Sequence, residues 1–127
     1  MTTSDKELDD NNKVETVQFK GLTLTVSSYS SNPFVFVKCY DKGYASLTLE
    51  GTTAVLCDIK TGGGQGVGSI LLEFIIQYCR GKDYTTLEGS ISSVDDTERL
   101  KIWYRRYGFE VTTSVKPDNV YDIKLVL

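Results

Sequence analysis

The pattern of apolar and polar positions in the middle of the chain predicts a strand, a glycine-rich loop and an amphipathic helix, in that order. Residues 54–59 are mainly apolar, and glycines dominate residues 62–68. From residue 67 onwards, apolar side chains recur at the spacing of one helical face, which predicts a helix over 66–80 with Gly81 as a left-handed C-cap. That face consists of Val67, Ile70, Leu71, Phe74, Ile75, Tyr78 and Cys79.

The remaining pattern is dominated by short runs rich in β-branched and aromatic residues, separated by turn residues. A tight hairpin is expected around Glu50-Gly51-Thr52. We predict strands at 14–28, 34–40, 44–49, 53–59, 85–91, 109–115 and 121–127, and a second helix at about 95–107. This order predicts an α+β fold with a mixed, mostly antiparallel sheet and a central parallel strand-helix-strand crossover.

Length and composition predict one domain with a polar tail. Residues 1–12 are polar and acidic with no apolar pattern, and we expect a disordered tail there. Residues 13–127 are expected to form a single domain, because 127 residues can bury a core. The 40% of hydrophobic and 24% of charged residues are ordinary for a soluble globular protein.

Charge and residue usage exclude several function classes. A formal net charge of -3, with no run of Lys or Arg, argues against general nucleic-acid binding. The chain has no histidine, which excludes Ser-His-Asp and Cys-His nucleophiles and disfavours a zinc site, so no metal is expected. Cys39, Cys57 and Cys79 lack metal-ligand spacing and are expected to be buried, reduced thiols. Without a signal peptide or a membrane-length apolar run, the expected compartment is the cytoplasm.

The glycine-rich segment before the helix predicts an anion-binding loop. A helix N-terminus exposes unpaired backbone N–H groups at the positive end of its dipole, and glycine lets oxygens approach closely. A phosphate or pyrophosphate group is therefore the expected ligand. Neither the P-loop nor the dinucleotide fingerprint fits the spacing, and a flexible hairpin or linker has the same composition.

Two segments together resemble the GNAT-type (acyl-CoA-dependent) N-acetyltransferase superfamily. Gln65-Gly66-Val67-Gly68-Ser69-Ile70-Leu71-Leu72 is similar to the family's acyl-CoA pyrophosphate loop, and Trp103-Tyr104-Arg105-Arg106-Tyr107-Gly108-Phe109 is similar to its Tyr-x-x-x-Gly-Phe segment. The resemblance implies an N-acyltransferase that uses acetyl-CoA. It also implies that pantetheine lies along Cys57, Asp58 and Ile59, and that the pyrophosphate meets the backbone of Gly63, Gly64, Gln65, Gly66, Val67, Gly68 and Ser69.

Three side chains are candidates for the chemistry. The resemblance implies that Tyr104 protonates the departing CoA sulfur, whereas its place on an aromatic helical stripe is equally typical of a core residue. Asp58 and Glu88 lie within predicted strands near the sheet centre. Either carboxylate could act as a general base, directly or through water, and the alternative is that each faces solvent or pairs with Lys or Arg.

The N-terminal half shows no amphipathic helix, although the family usually places two there to wall the acceptor site. We therefore expect an abbreviated N-terminal helical region and an open cleft, unless a second copy of the chain, as in a homodimer, or a partner protein covers it. An acidic chain favours a cationic amine acceptor, such as a protein lysine, a terminal amine or a polyamine. Gly63 stands where the family usually has Gln or Arg, and this departure leaves a non-catalytic acyl-CoA-binding regulatory or interaction protein as the alternative.

Overall fold

The computed structural model describes residues 12–29, 33–62 and 66–127. Within these ranges the chain forms one mixed sheet and two helices. The strands are β1 (Asn12–Phe19), β2 (Leu22–Tyr29), β3 (Phe34–Cys39), β4 (Gly43–Glu50), β5 (Thr53–Thr61), β6 (Thr86–Ser92), β7 (Glu110–Thr113) and β8 (Asn119–Val126). The helices are α1 (Val67–Gly81) and α2 (Thr97–Arg106).

The strand order is β1-β2-β3-β4-β5-β6-β8-β7. Among the described strands, β5 and β6 are the parallel pair, and α1 is the crossover between them. The other neighbours are antiparallel. The predicted α+β fold with a central parallel crossover is therefore confirmed.

The first predicted strand, 14–28, is wrong as a single element, because it is a hairpin of β1 and β2. Lys20 and Gly21 both adopt positive φ angles, of 48° and 84°. Two successive residues of this kind make the tight turn whose twist matches two antiparallel strands. The turn joins Phe19 and Leu22, which pair across the ladder, so the apolar pattern runs through it without a visible break.

One face of the sheet carries the core, and both helices pack on it. Buried residues lie opposite one another in successive ladders, as in Val37 with Ala45, Leu47 with Leu56, and Leu87 with Leu125. Antiparallel sheets tolerate a solvated second face. That second face, which we call the open face, carries Thr25, Ser27, Phe36, Lys38, Tyr44, Thr48, Val55, Glu88, Asp122 and Lys124.

The N-terminal region has strands where the resembling family usually has helices. β2 ends at Tyr29 and β3 begins at Phe34, so that residues 30–33 alone join these antiparallel neighbours. Four residues are too few for a helix pair. Within residues 12–29 and 33–62 the chain thus has strands and no helix, in line with the expected abbreviation, and no described helix covers the open face.

The C-terminal ends of α1 and α2 differ in which residue takes the left-handed conformation. Gly81 is the last residue of α1 and has no positive φ, so the predicted glycine cap is wrong; Asp83 takes the left-handed conformation at φ 66°. At the end of α2 it is Gly108 that takes the left-handed conformation, with φ 93° directly after the C-cap. Its neighbour Phe109 is buried and packs edge-on against Tyr104 at 5.3 Å.

Candidate functional site

The central feature of the site is a split between the two parallel strands. β5 and β6 pair over Thr53–Val55 and Thr86–Glu88, and their ladder ends there although both strands continue. A cavity of about 470 Å³ opens where the strands diverge. Its wall includes Asp58 and Ile59 from β5, Ser90 from β6, and Tyr104 from α2.

A β-bulge in β5 contributes to this divergence. Leu47 pairs with Leu56 and the preceding Ser46 pairs with Asp58, so Cys57 is left without a partner on β4. A bulge bends its strand and increases the local twist. Consequently β5 follows β4 past residue 56 while it leaves β6.

Tyr104 lies deep in the cavity wall. Its side chain is 5% exposed and packs edge-on against Trp103, with ring centroids 4.9 Å apart. Among the described residues, the side-chain hydrogen bonds around it, such as that from Trp103 to Ser69, do not include the Tyr104 hydroxyl. Burial, and then the charges of Asp95 and Asp58, raises the pKa of Tyr104 from 10.0 to about 12. The hydroxyl is therefore a protonated donor without a described protein acceptor.

The structure brings Asp58, but not Glu88, to the cavity of Tyr104. Asp58 is exposed, lines that cavity, and accepts a hydrogen bond from the Tyr44 hydroxyl at 3.1 Å. Glu88 is half-buried on the open face, between Val55 of β5 and Lys124 of β8. Both carboxylates therefore lie on the solvated face, as the alternative interpretation expected. Asp58 also lines the cavity of Tyr104.

Glu88 lines a second cavity, of about 500 Å³, on the open face. This cavity shares Val55, Gly89 and Ser90 with the cavity of Tyr104. The two cavities therefore adjoin at the split. The ionisable residues of the second cavity are Glu50, Glu88, Glu110, Asp122, Lys116 and Lys124.

The cysteines are free, but not all of them are buried. Cys39 and Cys79 are buried as expected. Cys57 is exposed, which corrects the expectation for this residue; its Sγ lies 3.0 Å from Oγ1 of Thr48. Alternation along β5 explains the difference, since successive side chains of a strand point to opposite faces and Leu56 is buried on the core side.

The N-terminus of α1 is arranged to meet an anion. Gly66 is its N-cap at φ 74°, with no side-chain cap and no acidic residue in the first turn, whereas α2 is capped by Asp96 and has Glu98 in its first turn. The backbone N–H groups of Val67, Gly68 and Ser69 therefore lack a side-chain partner from a cap. Gly63, Gly64 and Gln65 lie outside the described residues.

A third cavity, of about 420 Å³, lies at this helix end. Gly66, Gly68 and Ser69 line it from α1, Lys60 from β5, and Arg99 and Trp103 from α2. Ile59 and Asp95 line both this cavity and that of Tyr104, so the two cavities adjoin.

Several residues of the site were missed from the sequence. Arg99 lies one helical turn before Trp103, and this i, i+4 spacing could have placed both on one wall. Lys60, Asp95 and Tyr44 had no such signal, because they reach the site through strand register and loop geometry. None of the described residues forms a cluster suited to a metal ion. Neither described helix is long and apolar enough to cross a membrane.

Solved acetyltransferase structures share this architecture. The PaiA N-acetyltransferase of Thermoplasma acidophilum, in complex with coenzyme A, matches with a TM-score of 0.65 and 13% identity over 77% of this chain and 64% of that chain. A putative GNAT-family acetyltransferase of Desulfovibrio desulfuricans matches with a TM-score of 0.59 and 23% identity, over 73% and 67% of the two chains.

An Arabidopsis thaliana protein in complex with the bisubstrate analogue CoA-Ac-MVNAL matches with a TM-score of 0.57 and 17% identity, over 82% of this chain and 72% of that one. No protein-family model and no curated protein sequence matches the chain. This chain has the GNAT-type N-acetyltransferase fold. It spans about two thirds of the length of the Thermoplasma enzyme.

Proposed function

We propose that this protein is an acyl-CoA-dependent N-acyltransferase that transfers acetyl from acetyl-CoA to a primary amine by direct attack. The observation that carries the proposal is the split between β5 and β6. Of the two adjoining cavities there, one lies at an uncapped helix N-terminus and the other is lined by the buried, protonated Tyr104. The occurrence of the same fold in a coenzyme A complex supports this choice of co-substrate.

The residues present fit acetyl-CoA. Backbone N–H groups of Gly66, Val67, Gly68 and Ser69 would hold the pyrophosphate, because the helix end offers donors and a favourable dipole. The side chain of Val67 is buried, so its backbone alone is available to a ligand. Pantetheine would lie along β5 at Cys57, Asp58 and Ile59, whose ladder to β6 is open. Gly63, Gly64 and Gln65 stay part of the proposed loop.

The proposed chemistry uses two proton-transfer groups beside the split. A free lysine amine has a pKa of about 10.4, so a base must remove a proton before the amine attacks the thioester. Asp58 is our choice for this base, because it lines the cavity of Tyr104. The new C–N bond forms, the C–S bond breaks, and the CoA thiolate takes the proton of Tyr104. The burial that raises the pKa of Tyr104 keeps its hydroxyl protonated until the thiolate forms.

The acceptor would reach the thioester from the open face. The cavity of Glu88 adjoins the split on that side and has four carboxylates against two lysines. This excess of negative charge supports a cationic acceptor, such as a protein lysine, a terminal amine or a polyamine. The bisubstrate complex of the Arabidopsis protein, in which CoA-Ac is joined to the sequence MVNAL, supports a peptide acceptor for that protein.

The direct test is CoA release from acetyl-CoA in the presence of an amine panel that includes lysine-containing peptides, spermidine and a neutral aryl amine. We expect amine-dependent CoA release and a product heavier by one acetyl group in mass spectrometry. The absence of release with every amine, for protein that binds acetyl-CoA in calorimetry, would contradict the enzyme.

That last outcome would favour the alternative, a non-catalytic acyl-CoA-binding regulatory or interaction protein. The open face favours this alternative, because no described helix walls an acceptor site. A variant experiment separates the two. In an enzyme, Asp58→Asn and Tyr104→Phe lower the amine-dependent release of CoA while acetyl-CoA still binds, whereas a pure binding protein releases no CoA for either substitution to change.

A further inference from the structure

Tyr44 lies on β4, outside the cavity of Tyr104, and reaches Asp58 from the open face. Its hydroxyl donates to Oδ2 of Asp58 at 3.1 Å. The contact is diagonal between β4 and β5. Asp58 pairs with Ser46, and Tyr44 lies two residues before Ser46 on the same face of β4. The bulge at Cys57 creates this register, so the contact and the split have the same local cause.

Asp58 has few other restraints. It is exposed, and the ion pairs formed among the described residues involve other carboxylates, namely Glu15, Glu73, Asp96 and Glu98. An exposed carboxylate held by no partner samples several rotamers. A single donated hydrogen bond to one oxygen restricts those rotamers and leaves the second oxygen available.

The ring of Tyr44 is itself fixed. It stacks on Phe36 with centroids 5.3 Å apart and an interplanar angle of 24°. The Asp58 carboxylate raises the pKa of Tyr44, first by accepting its hydrogen bond and then by its charge, so the hydroxyl stays a donor in neutral solution. The hydroxyl of Tyr44 can therefore be removed, as in Tyr44→Phe, while the ring still packs on Phe36.

We propose that Tyr44 is a positioning residue that holds the Asp58 carboxylate at the split, so that its free oxygen can take a proton from the incoming amine. This inference rests on the proposed acyltransferase function and adds a residue to it. In the step itself, the amine proton moves to Asp58, the C–N bond forms and the C–S bond breaks. Tyr44 keeps its own proton throughout.

Other titratable groups also face Asp58 and must be distinguished from Tyr44. Cys57 and Lys60 are on β5 with Asp58, and Lys60 pairs with Tyr44 of β4. Asp95 and Tyr104 line the same cavity as Asp58. Tyr44 is the one that a described hydrogen bond connects to the carboxylate.

The test compares the parent with Tyr44→Phe, Asp58→Asn and the double variant, with Tyr40→Phe as matched control. Tyr40 is 82% exposed and close in sequence, so its hydroxyl can be removed without touching the cavity. Tyr44→Phe keeps the ring on Phe36, and an unchanged thermal midpoint checks its fold. We measure kcat and KM for both substrates.

We expect Tyr44→Phe to lower kcat about tenfold, with KM for acetyl-CoA unchanged. In the Asp58→Asn background the same substitution should have no further effect. Tyr40→Phe should equal the parent.

The outcomes separate this inference from the function beneath it. A parent that transfers acetyl to no amine overturns both. An active parent whose Tyr44→Phe variant keeps its kcat overturns the role of Tyr44 alone. An equal loss with and without Asp58→Asn also overturns it, because the hydroxyl would then act on something other than Asp58.

Discussion

Trp103 donates its indole N–H to the hydroxyl of Ser69 at 3.1 Å, and this bond ties α2 to the first turn of α1. The helix that carries Tyr104 is thereby connected to the helix end proposed to hold the pyrophosphate. Trp103 also packs edge-on against Tyr104 and Tyr107. Trp103 therefore lines the cavity at α1 and also packs on the tyrosine that lines the adjoining cavity.

Trp103 is the single tryptophan of the chain, and its fluorescence should report occupancy of the cavity at α1. We expect a saturable change of emission on titration with CoA. Ser69→Ala should weaken CoA binding severalfold, since a hydrogen bond contributes about 1 kcal/mol, while Ser93→Ala, in an exposed loop, should not. Binding that calorimetry detects but emission does not follow would place the ligand elsewhere.

Gly66 offers a sharp test of the anion-binding loop. Its φ of 74° strains most residues, but a Cβ there would meet nothing within 4 Å. Asn tolerates this backbone conformation and is nearly isosteric with Asp, so Gly66→Asn is the control for Gly66→Asp. We expect Gly66→Asp to bind acetyl-CoA at least tenfold more weakly than Gly66→Asn, because its carboxylate meets the phosphates. Equal affinities in calorimetry would refute the loop assignment.

Tyr104→Phe should lower kcat by about a hundredfold or more and leave the affinity for acetyl-CoA within about twofold. The substitution removes a proton donor and keeps the ring that packs on Trp103 and Phe109. Single-turnover kinetics should be used, so that product release does not mask the chemical step. A variant with the turnover of the parent would make Tyr104 a core aromatic and nothing more.

The parts of the fold that follow from local pattern were predictable. α1, the hairpin at Gly51 and the turn at Gly108 each have a sequence cue confined to a few neighbouring residues. The Lys20–Gly21 turn has a cue as well, but Phe19 and Leu22 continue the apolar pattern across it and hide it.

The geometry of the site was less predictable, because it depends on pairing between distant segments. Nothing in residues 54–59 alone shows that Cys57 is bulged out of register with β4. That one irregularity places Asp58 on the same face as Tyr44 and helps to open the split. Tyr104 could be selected from its motif, but its partner Asp58 could not be separated from Glu88 until the register was known.

Two buried groups predict a loss of stability in alkali. Burial raises the pKa of Cys79 from 9.0 to about 11, and that of Tyr104 rises from 10.0 to about 12. Because the folded state holds both protons more tightly, this contribution is complete below about pH 9 and is lost as pH rises to about 12. Each group should therefore lower the unfolding free energy as it ionises.

Urea unfolding at a series of pH values checks this prediction through slopes. Cys79→Ala should flatten the curve between about pH 9 and pH 11, and Tyr104→Phe should flatten it between about pH 10 and pH 12. Tyr40→Phe, at an exposed position, should follow the parent. An equally steep fall in Tyr104→Phe would show that other groups cause the loss.

The acceptor preference should depend on salt. The cavity of Glu88 has an excess of carboxylates, so spermidine or a lysine peptide should react faster than a neutral amine at low ionic strength. This advantage should shrink as salt is added, because the screening length falls to about 10 Å at 0.1 M.

Glu88→Gln should slow the cationic acceptors severalfold at low salt and much less at high salt. Glu15→Gln, on the edge strand β1, removes the same charge far from the split and should leave both rates unchanged. If a neutral apolar amine is the best acceptor and its rate is indifferent to ionic strength, the open face selects by shape, and the electrostatic argument fails while the fold stands.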